Sequence, residues 1–268
     1  MDIETADTAE LISILEWYRA AGVDVAVGDM PIDRFAQVRP PAAVPQRSIA
    51  PPIETAPLAT AVLAADPADT SALAATARTL AELEEIVRAY DGCALKARAT
   101  QLCFADGNPE ADVMLVGEGP GGEEDRIGKP FVGRAGQLLD RMLGSIGLDR
   151  SAVYIANTVP WRPPGNRNPT PQEIALCLPF LQRQIELVQP RILVAVGAVA
   201  AQSLFGATAG ISRLRGQWRD ITIGTHPVRA IAMLHPAYLL RVPSQKAQAW
   251  RDMLELKRAV EATSDTAG

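Results

Sequence analysis

An apolar run, Val113-Met114-Leu115-Val116, stops at a glycine turn crowded with acids: Glu118, Glu123, Glu124 and Asp125. Two further apolar runs end in side chains able to do chemistry, one at Asn157 and one at His235, directly before Pro236. Carboxylates and an imidazole gathered in this way suit the handling of water and protons, since a carboxylate orients or activates water and an imidazole gives or holds a proton. Ligands of open α/β sheets collect outside the carboxyl ends of the strands, so Glu118, Asn157 and His235 are candidates for one pocket although they are far apart in the chain. Singly, each has an ordinary structural reading: a solvated acidic loop, a capping or turn asparagine, a satisfied core histidine. The chain holds two histidines, and His226, in Gly-Thr-His-Pro, falls in an expected hairpin and reads as structural.

Gly117, Gly119 and Gly122 also spell GxGxxG after a strand, the pattern of a dinucleotide-binding loop. Pro120 removes an amide donor from that loop, the surrounding carboxylates oppose a pyrophosphate, and Asn157 stands where the second strand would need an acid for the ribose. The pattern does not carry that function here.

These residues need strands to position them. Apolar segments recur at Asp112–Gly117, Val153–Asn157, Arg191–Gly197 and Arg229–His235, with helical patterns between them. The best marked helix starts at Thr170-Pro171-Gln172-Glu173, where a capping threonine, a proline in the first turn and a glutamate completing a capping box precede the stripe Ile174, Cys177, Leu178, Leu181, Ile185 and Val188. A helix from about Ala75 to Arg98 opens this body, and one from Ala247 to about Val260 closes it through Trp250, Met253, Leu254 and Lys257. Strands alternating with helices imply an α/β fold of three layers, α/β/α, with a central four-stranded, mainly parallel sheet. The first residues differ. Asp7–Ala21 places Leu11, Ile14, Leu15 and Tyr18 at helical spacing, so residues 1–22 read as an amphipathic helix. Residues 23–78, rich in Ala and Pro, read as a linker, and residues 79–268 as the catalytic body.

Composition sets outer bounds. With 268 residues, 48% of them hydrophobic and 21% charged, the chain can bury one large core. No run approaches the roughly 20 apolar residues of a membrane span, and the acidic start (Asp2, Glu4, Asp7) is unlike the basic start of a signal peptide, so a cytoplasmic location is expected. Three cysteines at wide spacing, with no CxxC, suggest neither a disulfide framework nor a structural zinc site. The net charge of −5 is uneven. Residues 1–91 carry 6 Arg and no Lys against 15 acids, while residues 92–268 carry 20 basic against 16 acidic side chains, a body compatible with a polyanionic partner.

Three long segments, GEGPGGEEDRIGKPFVGRAGQLLDRML, NTVPWRPPGNRNPTPQEIALC and MLHPAYLLRVPSQK, resemble the signature segments of the uracil-DNA glycosylase superfamily, nearest to the bacterial and archaeal iron-sulfur type, family 4. The resemblance runs from about Tyr90 to Arg258. It implies an enzyme that flips deoxyuridine out of single- or double-stranded DNA, cleaves its N-glycosidic bond and leaves an abasic site for base excision repair. It also implies roles. His235 would donate to uracil O2 as charge builds there, Asn157 would pair with N3–H and O4, and Phe131 would stack on the base. One of Glu118 and Glu124, with Glu124 favoured, would handle the water near the Gly119 backbone, and Asn166 would support water or sugar. Leu239, Leu240 and Arg241 would form the loop that enters DNA, with Arg162 and Arg167 as further phosphate contacts.

The chain departs from the family pattern at its metal site. The resemblance implies a [4Fe–4S] cluster on four cysteines, but only Cys93 and Cys177 match ligand positions; Tyr90 and Trp161 occupy the other two, and Cys103 matches none. Two thiolates cannot complete such a shell, so no cluster is expected. Two alternatives belong to the same superfamily. A covalently trapping mode uses a histidine in a loop after the second segment, and Thr158–Glu173 has none; a non-catalytic DNA-binding mode is argued against by the intact acids, Asn157 and His235. The expected protein is a monomer, cytoplasmic and associated with the nucleoid, with its N-terminal helix either recruiting a repair or replication partner or packing on its own body.

Overall fold

The computed structural model describes residues 66–265, together with Ile12. Apart from Ile12, the helix expected over Asp7–Ala21 lies outside the described residues, as does most of the expected linker.

Helix α1 (Pro67–Ala75) begins where Asp66 accepts a hydrogen bond from the Ala68 amide, with Pro67 in the first turn. It falls inside the segment read as linker over 23–78, so ordered chain starts at least a dozen residues before the expected body. Helix α2 (Leu80–Ala89) follows separately, because Thr79 caps it through the Glu82 amide while Glu82 accepts from the Arg78 amide at 2.6 Å. The single helix expected from Ala75 to Arg98 is thus shorter: Ala75 ends α1, and only Leu80–Ala89 of the expected span is α-helical. The chain from Tyr90 to Phe104 is irregular apart from one 3₁₀ turn at Lys96–Arg98.

The sheet comprises β1 (Asp106–Gly107), β2 (Val113–Gly117), β3 (Val153–Asn157), β4 (Ile192–Val196), β5 (Trp218–Ile223) and β6 (His226–Met233). Its order is β1-β3-β2-β4-β6-β5. β3, β2, β4 and β6 run parallel; β1 and β5 are antiparallel edges. The four parallel strands are those expected. The two edges are additions, and β2, not β3, lies beside β4, so chain order is not neighbour order throughout. Parallel register aligns the strand ends: Gly117 opposes Asn157, Val116 opposes Ala195, and Val196 opposes Met233.

The helices fill the connections: α3 (Gly122–Ile127) and α4 (Arg134–Gly144) after β2, α5 (Pro171–Val188) after β3, α6 (Ala198–Phe205) and α7 (Ile211–Leu214) after β4, and α8 (Pro236–Arg241) and α9 (Lys246–Asp265) after β6. Every residue of β2, β3 and β4 is buried, which explains their continuous apolar runs: successive side chains point to opposite faces and each face is covered. Met114, Val116, Leu193 and Ala195 pack with Leu181 and Ile185 of α5 and Leu204 of α6. Leu115, Ile155, Val194 and Ile231 pack with Leu139 and Leu143 of α4 and Met253 and Leu256 of α9. This is the three-layer arrangement. Truncating one such side chain, as in Leu115→Ala, is expected to cost about 2–5 kcal/mol.

The Thr170 capping box forms as expected, with Thr170 accepting from the Glu173 amide and Glu173 accepting from the Thr170 amide. On α9 the stripe is displaced. Ala249, Met253, Leu256 and Ala259 are buried, whereas Trp250 is 45% exposed. His226 is tied through Nε2 to the Pro190 carbonyl at 2.9 Å and stands at the amino end of β6, away from the carboxyl ends that carry the candidate residues.

Candidate active site

A cavity of about 920 Å³ opens over the carboxyl ends of the parallel strands, and Glu118, Glu124, Phe131, Asn157, Asn166 and His235 all line it. Two glycines at strand ends make the room. A Cβ on Gly117 would lie 2.5 Å from both Asn157 Oδ1 and the Phe131 ring. Gly197, after β4, has φ +100°, and a Cβ there would press on the His235 side chain at 3.1 Å.

Asn157 is only 6% exposed, and its Nδ2 has no hydrogen-bond partner among the described residues. Its backbone is held beyond the sheet: Thr158 donates from its amide (2.8 Å) and its hydroxyl (2.9 Å) to the Gly117 carbonyl, and the Val159 amide donates to the Glu118 carbonyl. A buried amide left without a partner costs about 1–3 kcal/mol, so its position beside a cavity marks a place for an acceptor.

His235 caps α8. Its Nδ1 accepts from the Ala237 amide at 3.1 Å, which leaves Nε2 to carry the proton of a neutral ring. Burial, and then the positive charge of Arg241, push its pKa down to about 4 against a smaller opposing pull from Glu124. The imidazole is thus neutral at pH 7, a hydrogen-bond donor without a net charge. The Phe131 ring stacks on it, with centroids 5.4 Å apart and planes 27° apart.

Phe131 sits in the left-handed region at φ +53°, a conformation that costs a non-glycine residue about 1–3 kcal/mol. Charged groups on both sides offset this. Glu124 Oε1 accepts from the amides of Val132 (3.0 Å) and Gly133 (2.9 Å), and Arg150 donates to the carbonyls of Pro130 and Phe131. Hydrogen bonds to charged groups contribute about 1.5–3 kcal/mol each.

The two carboxylates therefore differ. Glu124 has one oxygen occupied by two amides, whereas the Glu118 carboxylate makes no hydrogen bond with a described residue and faces the cavity. Burial pushes the Glu118 carboxyl above its ordinary value, with Arg241 pulling the other way. Gly119 packs close to Val159.

The arginines divide as well. Arg162 donates from Nε to Asn166 Oδ1 at 2.8 Å and lies 3.8 Å from Asp125, which is buried and also accepts from Thr100. Arg167 forms a two-point pair with Glu173, at 2.8 and 2.6 Å, over the start of α5. Each has a partner within the protein. The guanidinium of Arg241, on the cavity rim, has no ion pair or hydrogen bond with a described residue. Leu239 is 1% exposed and packs with Leu234 and Ala249, whereas Leu240, at 36%, faces out. Arg150 escaped sequence reasoning altogether. It stands outside the three signature segments, and nothing in its spacing advertises the carbonyls it holds.

Next to the Gly119 turn, Tyr90, Cys93, Trp161, Cys177 and Phe180 share one apolar cluster that also includes Val159. The two sulfurs are 3.9 Å apart, Trp161 is fully buried, and the Tyr90 ring meets Phe180 edge to face at 5.2 Å. The Tyr90 hydroxyl is buried without a hydrogen-bond partner among the described residues, and burial followed by Cys93 and Cys177 raises its pKa to about 12. Cys103 is separate, its Sγ donating to the Glu124 carbonyl. Two sulfurs, a phenol and an indole do not fit a four-thiolate cluster. Among the described residues no group of three or more His, Cys, Asp or Glu is arranged to hold a metal ion.

The chain is similar over 160 residues to the Type-4 uracil-DNA glycosylase of Thermotoga maritima, with 44% identity covering 59% of this chain and 82% of that protein. It is similar to the Type-4 uracil-DNA glycosylase of Archaeoglobus fulgidus at 39% identity over 181 residues, 65% of this chain and 91% of that protein. The Type-5 uracil-DNA glycosylase of Pyrobaculum aerophilum shares 32% over 151 residues, 50% of this chain and 64% of that protein. Residues 104–254, which carry every cavity residue named above, match the family model for the uracil DNA glycosylase superfamily, and the chain belongs to that superfamily.

Proposed function

We propose that this chain is a DNA repair enzyme that binds a deoxyuridine flipped into the cavity and hydrolyses its N-glycosidic bond, releasing uracil and leaving an abasic site. The observation that carries this reading is the unpartnered Asn157 Nδ2 in one cavity with a neutral His235 stacked on Phe131. Asn157 pairs Nδ2 with uracil O4 and Oδ1 with N3–H. Cytosine reverses both groups and would leave the amide mismatched. Phe131 stacks on the base. As the C1′–N1 bond breaks, its electrons leave with uracil, and His235 donates to O2 more strongly in the transition state than in the ground state.

Water then adds to C1′. Glu118 suits this step better than Glu124, because its carboxylate is free and its raised pKa makes it the better proton acceptor. Glu124 instead holds the Phe131 loop. Asn166, fixed by Arg162, supports the sugar side, and Gly119 offers close backbone approach. Arg241 meets a DNA phosphate and Leu240 fills the gap the base leaves; Arg162 and Arg167 act within the protein.

The residues around Cys93 and Cys177 support a domain that folds without an iron-sulfur cluster. Action as a monomer, on cellular DNA in the cytoplasm or nucleoid, is part of this reading. Recruitment of a repair partner by the N-terminal helix belongs to the same proposal.

The test is single-turnover cleavage of an oligonucleotide with one deoxyuridine, single-stranded and in duplex, with alkali to reveal abasic sites. His235→Ala and Asn157→Ala should each lower the rate by about 10²–10³-fold with the fold intact. Wild-type protein that leaves uracil in place in both substrates would overturn the reading.

A further inference from the structure

We propose that Arg150 is a positioning residue for base excision: it acts on the substrate only through Phe131, by fixing the backbone that aims that ring. Arg150 opens the 3₁₀ turn Arg150–Ala152 ahead of β3 and does not line the cavity. Its guanidinium reaches four groups at once. Nη1 donates to Asp106 at 2.6 Å and to the Pro130 carbonyl at 3.3 Å, Nη2 to the Phe131 carbonyl, and Nε to Asp140 at 2.8 Å. Asp106, on the edge strand, also pairs with Lys129 at 2.9 Å, so the same carboxylate anchors both the guanidinium and the residue that leads into the Pro130 turn.

The loop is thus held from two directions. Arg150 takes the carbonyls of residues 130 and 131, and Glu124 takes the amides of residues 132 and 133. A peptide with its carbonyls fixed on one side and its following amides on the other has little freedom at the residue between, and that residue is Phe131 at φ +53°. The result is a ring seated between Gly117 and His235 before any substrate arrives. Preorganised groups contribute to rate because the reaction does not have to order them, and displacement of about 1 Å at such a site can cost about 10²-fold.

The inference rests on the reading of Phe131 as the ring that stacks on the flipped base. It is tested by a double-mutant cycle with single-turnover cleavage of deoxyuridine DNA, with Arg150→Ala made in wild type and in Phe131→Ala. Arg150→Ala should lower the rate about 30- to 100-fold in wild type and less than about 3-fold once Phe131 is gone. Affinity for duplex DNA carrying a tetrahydrofuran abasic analogue, which offers no base to stack, should stay within about 2-fold. Equal losses in both backgrounds, no loss in wild type, or a parallel loss of abasic-DNA affinity would each overturn the assignment. Should Arg150→Ala fail to fold, Arg150→Lys is read in the same cycle, since it keeps the charge but cannot span two carbonyls and two carboxylates. A wild type without cleavage refutes the glycosylase reading itself; a cleaving wild type with an additive cycle refutes only the role of Arg150.

Discussion

The excision pocket and the Tyr90–Cys177 cluster each hold a buried polar atom without a partner among the described residues, Asn157 Nδ2 in one and the Tyr90 hydroxyl in the other. They differ in what lies beside the atom. Asn157 borders an open cavity whose other walls are Glu118, Phe131 and His235, while Tyr90 is packed among Cys93, Cys177 and Phe180. An orphaned donor next to space is half of a binding site; one inside packing is a small loss of stability carried by a good core. The two regions should therefore respond to substitution in opposite ways.

The largest contrast sets Trp161→Ala against His235→Ala. Trp161 fills core, so its truncation should cost about 3–5 kcal/mol of unfolding free energy, measured in urea, with the cleavage rate of the remaining folded protein near wild type. His235→Ala should show the reverse, a large loss of rate with little change in the urea midpoint. The purified wild type should contain no stoichiometric iron at full activity. Stoichiometric iron bound at Cys93 and Cys177 would erase the contrast by making the cluster a cofactor site.

Within the pocket, Glu118 and Glu124 sharpen the same contrast at a smaller scale. Glu118→Gln should lower the rate about 10²-fold or more at nearly unchanged stability, because its carboxylate holds nothing in place. Glu124→Gln should cost about 1–2 kcal/mol of stability, since two loop amides lose a charged acceptor, and should slow cleavage only through Phe131. The pH profile separates them further. Glu118 must be ionised to accept a proton, and burial raises its pKa, so the rate should fall on the acid side at a higher pH than an exposed glutamate would give. Arg241 holds that pKa down, so Arg241→Gln should move the acid limb upward. A limb that stays in place or moves down would take the water step away from Glu118. His235, at about 4, stays largely neutral through this range.

How far such roles were legible in the sequence follows from the same physics. The parallel strands were visible because both faces are buried and leave unbroken apolar runs, and their last residues marked the pocket. The edges were not. β1 is two residues long, and β5, Trp-Arg-Asp-Ile-Thr-Ile, is half exposed and alternates with polar residues. A sequence displays a charge but not its partner: nothing in the spacing of Arg162 and Arg167 announces Asn166 and Asp125 beside one or Glu173 beside the other. Leu239 and Leu240 are likewise adjacent letters, and only the direction of α8 sends one into the core and the other to solvent. Glu124 and Arg150 bind backbone groups, which leave no mark in residue type.

The smallest effect is the most discriminating. Tyr90→Phe removes a hydroxyl that has no partner among the described residues and leaves the ring against Phe180, so it should change stability by no more than about 0.5 kcal/mol, or raise it by up to about 1, with the cleavage rate untouched. Buried hydroxyls that are hydrogen-bonded, to protein or to ordered water, lose about 1 kcal/mol or more when deleted. Destabilisation of that size in Tyr90→Phe would mean that the hydroxyl has found a partner beside Cys93 and Cys177. The cluster would then contain room for a water or an ion, and the distinction between the two regions, one built around a space and one closed by packing, would have to be given up.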